Sequence, residues 1–144
     1  MHLVRLIYVS TMTEACDTSA LQRILDVSHI KNSARKITGM LCYDPSFFLQ
    51  CLEGPQEAVN ELYGDIIKDV RHKHVTLLEY VTVDEREFGA WSMAFAHSSN
   101  IDKHTFEKYT RGARFDPFAL NSEQAKDFLV EVAHHGSRLM TRQR

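Results

Sequence analysis

The sequence predicts an α+β fold of the ferredoxin-like kind, in the order β-α-β-β-α-β-β, over roughly its first 97 residues. Three observations carry this. Residues 3–10, "LVRLIYVS", alternate as a strand does. Residues 37–54, "ITGMLCYDPSFFLQCLEG", hold two β-like runs around Asp44-Pro45-Ser46, which is turn chemistry and predicts a hairpin. An amphipathic stretch of helical period precedes the hairpin and another follows it. An antiparallel-rich sheet with both helices on one face satisfies all three.

In the first strand Leu6, Tyr8 and Ser10 share one face, with Arg5, Ile7 and Val9 opposite. "TMTEACDTS" reads as a loop, after which Asp17, Thr18 or Ser19 can cap a helix carrying Leu21, Ile24, Leu25 and Ser28 on one side. "HIKNSARK" is polar and reads as irregular. After the hairpin, Gly54-Pro55 ends the strand and places proline in the first turn of a second helix. Its stripe of Val59, Leu62, Tyr63, Ile66, Ile67 and Val70 is expected to be buried. "HVTLLEYVTVDERE" and "AWSMAFAH" are two more strands.

From about residue 100 the pattern changes. A short helix ended at Gly112 is expected, then one running through His135, opened by Asn121 and Gln124 as a capping box and carrying Phe128, Leu129 and Val132. The first two helices cover only one face of a sheet, so these two are expected on the other face. Two units result: residues 1–97, and a helical extension over 98–144 that packs on the sheet or on a partner.

Composition narrows the function. A length of 144 residues with 44% hydrophobic and 25% charged content describes a globular chain of one ordinary domain. A net charge of −2 with scattered Lys and Arg gives no footprint for nucleic acid. No apolar run is long enough to span a membrane, and the N-terminus lacks signal-peptide features. Three cysteines, an odd number with no CxxC, indicate reduced thiols in a cytoplasm and no zinc site.

The strand "FFLQCLEG" contains the feature that asks for chemistry. Gln50 sits among Phe47, Phe48, Leu49, Cys51 and Leu52, and a buried primary amide needs partners. The pleat puts Gln50 with Phe48 and Leu52. Tyr8 brings a phenol from the first strand, while Trp91 and Met93 share a face of the last. A tyrosine, a glutamine, a methionine and a tryptophan from three strands can meet beneath the two helices. Taken alone, this describes a core with one Tyr–Gln hydrogen bond.

The local motifs point further. "RLIYVS" at 5–10, "ARKITGMLCYDPSFFLQCLEG" at 34–54, "DVRHKHV" at 69–75 and "FGAWSM" at 88–93 resemble, in order and spacing, the BLUF family of blue-light sensors that bind flavin adenine dinucleotide. The resemblance covers roughly residues 2–97. It implies a flavin between the two helices, with its dimethylbenzene end near the rim and its pteridine-like edge facing the sheet. Tyr8 matches the family's photoactive tyrosine and Gln50 its switching glutamine. Asn32 matches the asparagine on the ring's carbonyl and imide edge, and Lys31 a neighbouring cofactor contact that varies in the family. Ile24 and Ile66 match the aliphatic pair that sandwiches the ring, and both also stand on the apolar stripes read above. Asp69 and His72 match polar positions at the cofactor's edge. Arg71 is a candidate phosphate contact and equally an ordinary surface charge.

What the resemblance implies is a photoreceptor and not an enzyme. Excited flavin takes an electron and then a proton from Tyr8 through Gln50, whose rearranged amide persists. Met93, with Trp91 left open, relays the change through the last strand. The tail resembles no cyclase, phosphodiesterase or DNA-binding domain, so the signal is expected to pass to a separate partner protein or through a homo-oligomer. Two other classes compete. An acylphosphatase-like hydrolase would need a glycine-rich anion loop with an arginine at the first strand–helix junction, which holds neither. A flavin-free protein-interaction module on the same fold would have no use for Tyr8, Asn32 and Gln50 together.

Overall fold

The elements follow in the predicted order: β1 Leu3–Met12, α1 Thr18–Ala34, β2 Thr38–Tyr43, β3 Phe47–Pro55, α2 Gln56–Lys68, β4 His72–Val83, β5 Trp91–His97, α3 Lys103–Tyr109 and α4 Ser122–His134. A strand absent from the sequence reading, β6 Met140–Gln143, closes the series. This is a computed structural model that describes residues 2–110, 112, 114–134 and 140–143, apart from the side chains of 18, 28, 29, 91, 92 and 140–143. His135, where the last helix was expected to end, lies outside them.

The strands form one sheet in the order β4-β1-β3-β2-β5-β6. Neighbours are antiparallel except β2 and β5. This is the ferredoxin-like α+β fold with strands added at one edge. The hairpin turn is held by Asp44, whose carboxylate accepts from the backbone N–H of Ser46 and Phe47, both at 2.8 Å. Gly39 in β2 permits close strand approach, since a Cβ there would lie 2.0 Å from the carbonyl oxygen of Cys51.

The pleat divides the core as its parity requires. Val4, Leu6, Tyr8, Phe48, Leu52 and Met93 pack with α1 and α2 on one face. Ile7, Val9, Met40, Cys42, Leu49 and Cys51 face the other way. There they meet Phe106 of α3, Phe115, and Ala125, Phe128, Leu129 and Val132 of α4. The tail helices therefore cover the second face within the same chain. The capping box forms: Gln124 N–H donates to Asn121 Oδ1 at 2.8 Å, and Asn121 N–H to Gln124 Oε1 at 3.0 Å.

Four local expectations need correction. α1 is capped by Asp17 and runs through "HIKNSA", so Lys31 and Asn32 ride on a helix and not on an irregular segment. No glycine or proline interrupts it, and it ends only where Lys36 adopts φ 60°. In α2 just one stripe residue, Val59, is fully buried, while Ile67 is 52% and Val70 76% exposed. Ile67 lies about 80° round the helix from Val59 at 3.6 residues per turn, and Val70 lies beyond the helix end. Pro55 takes the N-cap position, one residue before the first turn. α3 stops at Tyr109, short of Gly112, where Thr110 donates from both its N–H and its hydroxyl to the carbonyl of Phe106.

Candidate functional site

Tyr8 and Gln50 are cross-strand partners in the β1–β3 ladder. The Tyr8 hydroxyl donates to Gln50 Oε1 over 2.6 Å. The Gln50 amide nitrogen in turn donates to the thioether sulfur of Met93 over 3.6 Å. Tyr8 is 4% and Gln50 6% exposed, so these bonds act in a dry setting. Burial, with Tyr63 and Asp69 adding to it, pushes the Tyr8 phenol far above the usual tyrosine range. Its proton stays on at any physiological pH, available as a donor.

Above this floor, between α1 and α2, lies a cavity of about 400 Å³, within the range of small-molecule sites. Tyr8, Ile24, Lys31, Asn32, Gln50, Ile66, Asp69, Arg71 and His72, the residues singled out by sequence, all line it. Ile24 comes from α1 and Ile66 from α2, giving aliphatic contacts on the two helical walls. Asn32 is 1% exposed and places a carboxamide in the same space. Met93 does not line the cavity but is bonded to Gln50 beneath it. Trp91 heads β5 at a register irregularity, and its side chain lies outside the described residues.

The polar wall at the start of β4 is prearranged. Arg71 binds the Asp69 carboxylate through Nε at 2.9 and 3.1 Å and through a short contact from Nη2. These bonds hold the Asp69 carboxyl below the usual carboxylate range. His72 Nε2 donates to the Ile66 carbonyl at 2.6 Å, which can only accept. In the neutral ring Nδ1 is then free to accept from Ser10 Oγ, 2.8 Å away. The Ile66 wall and the β1 floor are thus tied through one imidazole.

Sequence reasoning missed Arg23, Val27, Arg35 and Asp65 in the lining. Arg23, Val27 and Lys31 recur every four residues, a signal that appears only once α1 is extended beyond residue 28. It also missed Glu53, fully buried, whose carboxylate accepts from the backbone N–H of Phe88 at 2.8 Å and Glu87 at 2.9 Å. Burial raises its carboxyl above the usual range. Glu53 fastens the strand of Gln50 to the loop that leads into β5.

A cavity between two helices, floored by a hydrogen-bonded Tyr–Gln pair on an α+β sheet, is of a size that admits a small molecule. The family model for BLUF, sensors of blue light using FAD, matches residues 3–94, and the chain belongs to that family. It is 34% identical over 104 residues to the photoactivated adenylate cyclase subunit alpha of Euglena gracilis. That match covers 71% of this chain and 10% of the relative. The antirepressor BluF of Escherichia coli (strain K12), regulated by blue light and temperature, is 31% identical over 91 residues, or 63% of this chain and 23% of BluF. The chain thus spans only a small part of these relatives' length. Among solved structures, the ground state of BlsA superposes with a TM-score of 0.79 at 32% identity, over 99% of this chain and 91% of that one. No helix among the described residues is long and apolar enough to cross a membrane.

Proposed function

We propose that the protein is a blue-light photoreceptor that holds FAD in this cavity and signals by rearranging the amide of Gln50. The observation that carries this reading is the buried Tyr8–Gln50–Met93 chain at the cavity floor. The site fits the ring. Ile24 and Ile66 offer apolar contact from the two helices, and Asn32 and Gln50 offer carboxamides to a polar edge. The Gln50 nitrogen, whose protein partner is a thioether, keeps a strong donor in reserve.

A bound flavin supplies a strong oxidant when it absorbs blue light. Tyr8, hydrogen-bonded to Gln50 Oε1, would be the residue placed to supply that oxidant with an electron and, through Gln50, a proton, and to take both back. Gln50 remains changed, by rotation or by tautomerisation. A rotated amide presents its nitrogen to Tyr8 and its oxygen to Met93, so the thioether loses its donor. Asp69 holds Arg71 in place, and His72 holds the Ile66 wall to β1. The change passes through β5, with residues 1–97 as the sensory unit and 98–144 as the extension that meets a separate cytoplasmic partner.

The test is an absorption spectrum of the purified protein, recorded in the dark and again under blue light. A yellow protein with a small, reversible red shift is expected. A colourless protein, or a yellow one that does not respond to light, overturns the proposal.

A further inference from the structure

β3 is tied to β5 and its approach on both faces of the sheet. On the cavity face the Gln50 amide nitrogen donates to Met93 of β5. Glu53 stands three residues further along β3, and so on the opposite face, where it is fully buried. Each of its carboxylate oxygens takes one backbone N–H of the incoming loop, Oε1 that of Phe88 at 2.8 Å and Oε2 that of Glu87 at 2.9 Å. Arg86 of the same loop donates to the Glu53 carbonyl at 3.0 Å and to Thr38 Oγ1 at 2.8 Å. Arg5 sets a cation 3.6 Å from Glu53 Oε2. A carboxylate this deep is tolerated only because donors and a cation meet it.

β5 is next fixed at Ala94, which pairs with Met40 of β2. Met93 therefore ends the span 89–93, hung between Phe88 at the Glu53 anchor and Ala94 on the sheet. How taut that span is sets where the thioether stands against Gln50. A rotated Gln50 turns its oxygen to the thioether, which has no hydrogen to give. While the span is held, Met93 stays in that unfavourable contact and the amide is driven back. We infer that Glu53 is a positioning residue for the switch: by anchoring the loop before β5 it holds Met93 against Gln50, and so sets how long the lit state lasts. This rests on the photoreceptor reading and adds to it a residue outside the cavity lining.

The experiment follows dark recovery by absorption after a blue-light pulse, on flavin-loaded wild type, Glu53→Gln, Met93→Leu and the double variant. Glu53→Gln keeps the size of the side chain but offers one acceptor oxygen in place of two, so one of the N–H bonds is lost. It should keep the red shift and recover more slowly than wild type by about threefold or more, the rate equivalent of one hydrogen bond. In the Met93→Leu background the same substitution should change the rate by less than about twofold, because its effect passes through the thioether. Should Glu53→Gln fail to fold, Arg86→Ala, at a half-buried loop position, loosens the same anchor and should slow recovery in the same direction. An anchor variant that recovers as fast as wild type or faster overturns this inference and leaves the photoreceptor reading standing. So does a slowing of equal size in the Met93→Leu background, which is what general softening of the fold would give. Wild-type protein that binds no flavin, or shows no red shift, overturns both.

Discussion

The phenol of Tyr8 donates to Gln50 Oε1 over 2.6 Å between strands in which the two residues are register partners. The ladder itself sets this distance, so the bond is made by the sheet and not by side-chain search. Tyr8→Phe removes the donor and leaves a buried carboxamide oxygen without its partner. The variant should lose about 1–3 kcal/mol of stability, measured by urea unfolding. It should retain flavin and show no stable red shift.

Gly39 lies where β2 and β3 close, with Met93 Cε 3.4 Å from the position of an added Cβ. Gly39→Ala must move the Cys51 carbonyl, 2.0 Å from that Cβ, because backbone cannot swing aside as a side chain can. A loss of about 2 kcal/mol or more is expected, seen as a lower melting temperature. The dark spectrum should shift as well, since the Cys51 carbonyl that must move directly follows Gln50 in β3.

Asp69 gives a pH dependence of definite sign. Its carboxyl is held below the ordinary value of 3.8, chiefly by the hydrogen bonds from Arg71. The folded state therefore binds fewer protons than the unfolded one in that region. The stabilisation is present above the unfolded value and is lost as pH falls through the lowered folded value. The gap in urea midpoint between wild type and Asp69→Asn should be constant from about pH 7 to pH 5 and should close below about pH 4. A gap that widens on acidification contradicts the assignment.

Phe128 lies in the buried cluster that joins the tail to the far face of the sheet, its ring also stacked at 5.8 Å on Phe106 and 6.3 Å on Phe115 within the tail. Phe128→Ala should cost about 3–5 kcal/mol by denaturation. Because the cavity lies on the opposite face, the flavin spectrum of the folded variant should be unchanged. A displaced dark spectrum would show that the two faces are coupled.

The strand part of the site was legible because strand parity is strict, while Lys31, Asn32, Asp69, Arg71 and His72 were read from the resemblance of local motifs to a family. A period of two fixes the face-mates of Tyr8 within β1 and of Gln50 within β3, a polar amide in an apolar strand marks the position, and the β1–β3 register then puts the two on one face. The later part of α1 was not legible. From Ile30 to Ala34 the helix has exposed positions on most sides and a cavity wall at Lys31 and Asn32, so no apolar stripe marks it. The excess of α2 in the reading has the converse cause, since Ile67 and Val70 are apolar yet exposed. β6 is four residues defined by backbone pairing with β5, which no side-chain pattern announces. Glu53 escaped notice because its partners are backbone N–H groups more than thirty residues away.

The central claim is that light changes the hydrogen bonding of Gln50. Its most direct test is the light-minus-dark absorption difference of wild type and Gln50→Leu, measured side by side on flavin-loaded protein. Wild type should show a reversible red shift of the flavin bands, and Gln50→Leu should bind the flavin and show none. A Gln50→Leu protein with the wild-type difference spectrum would contradict the account.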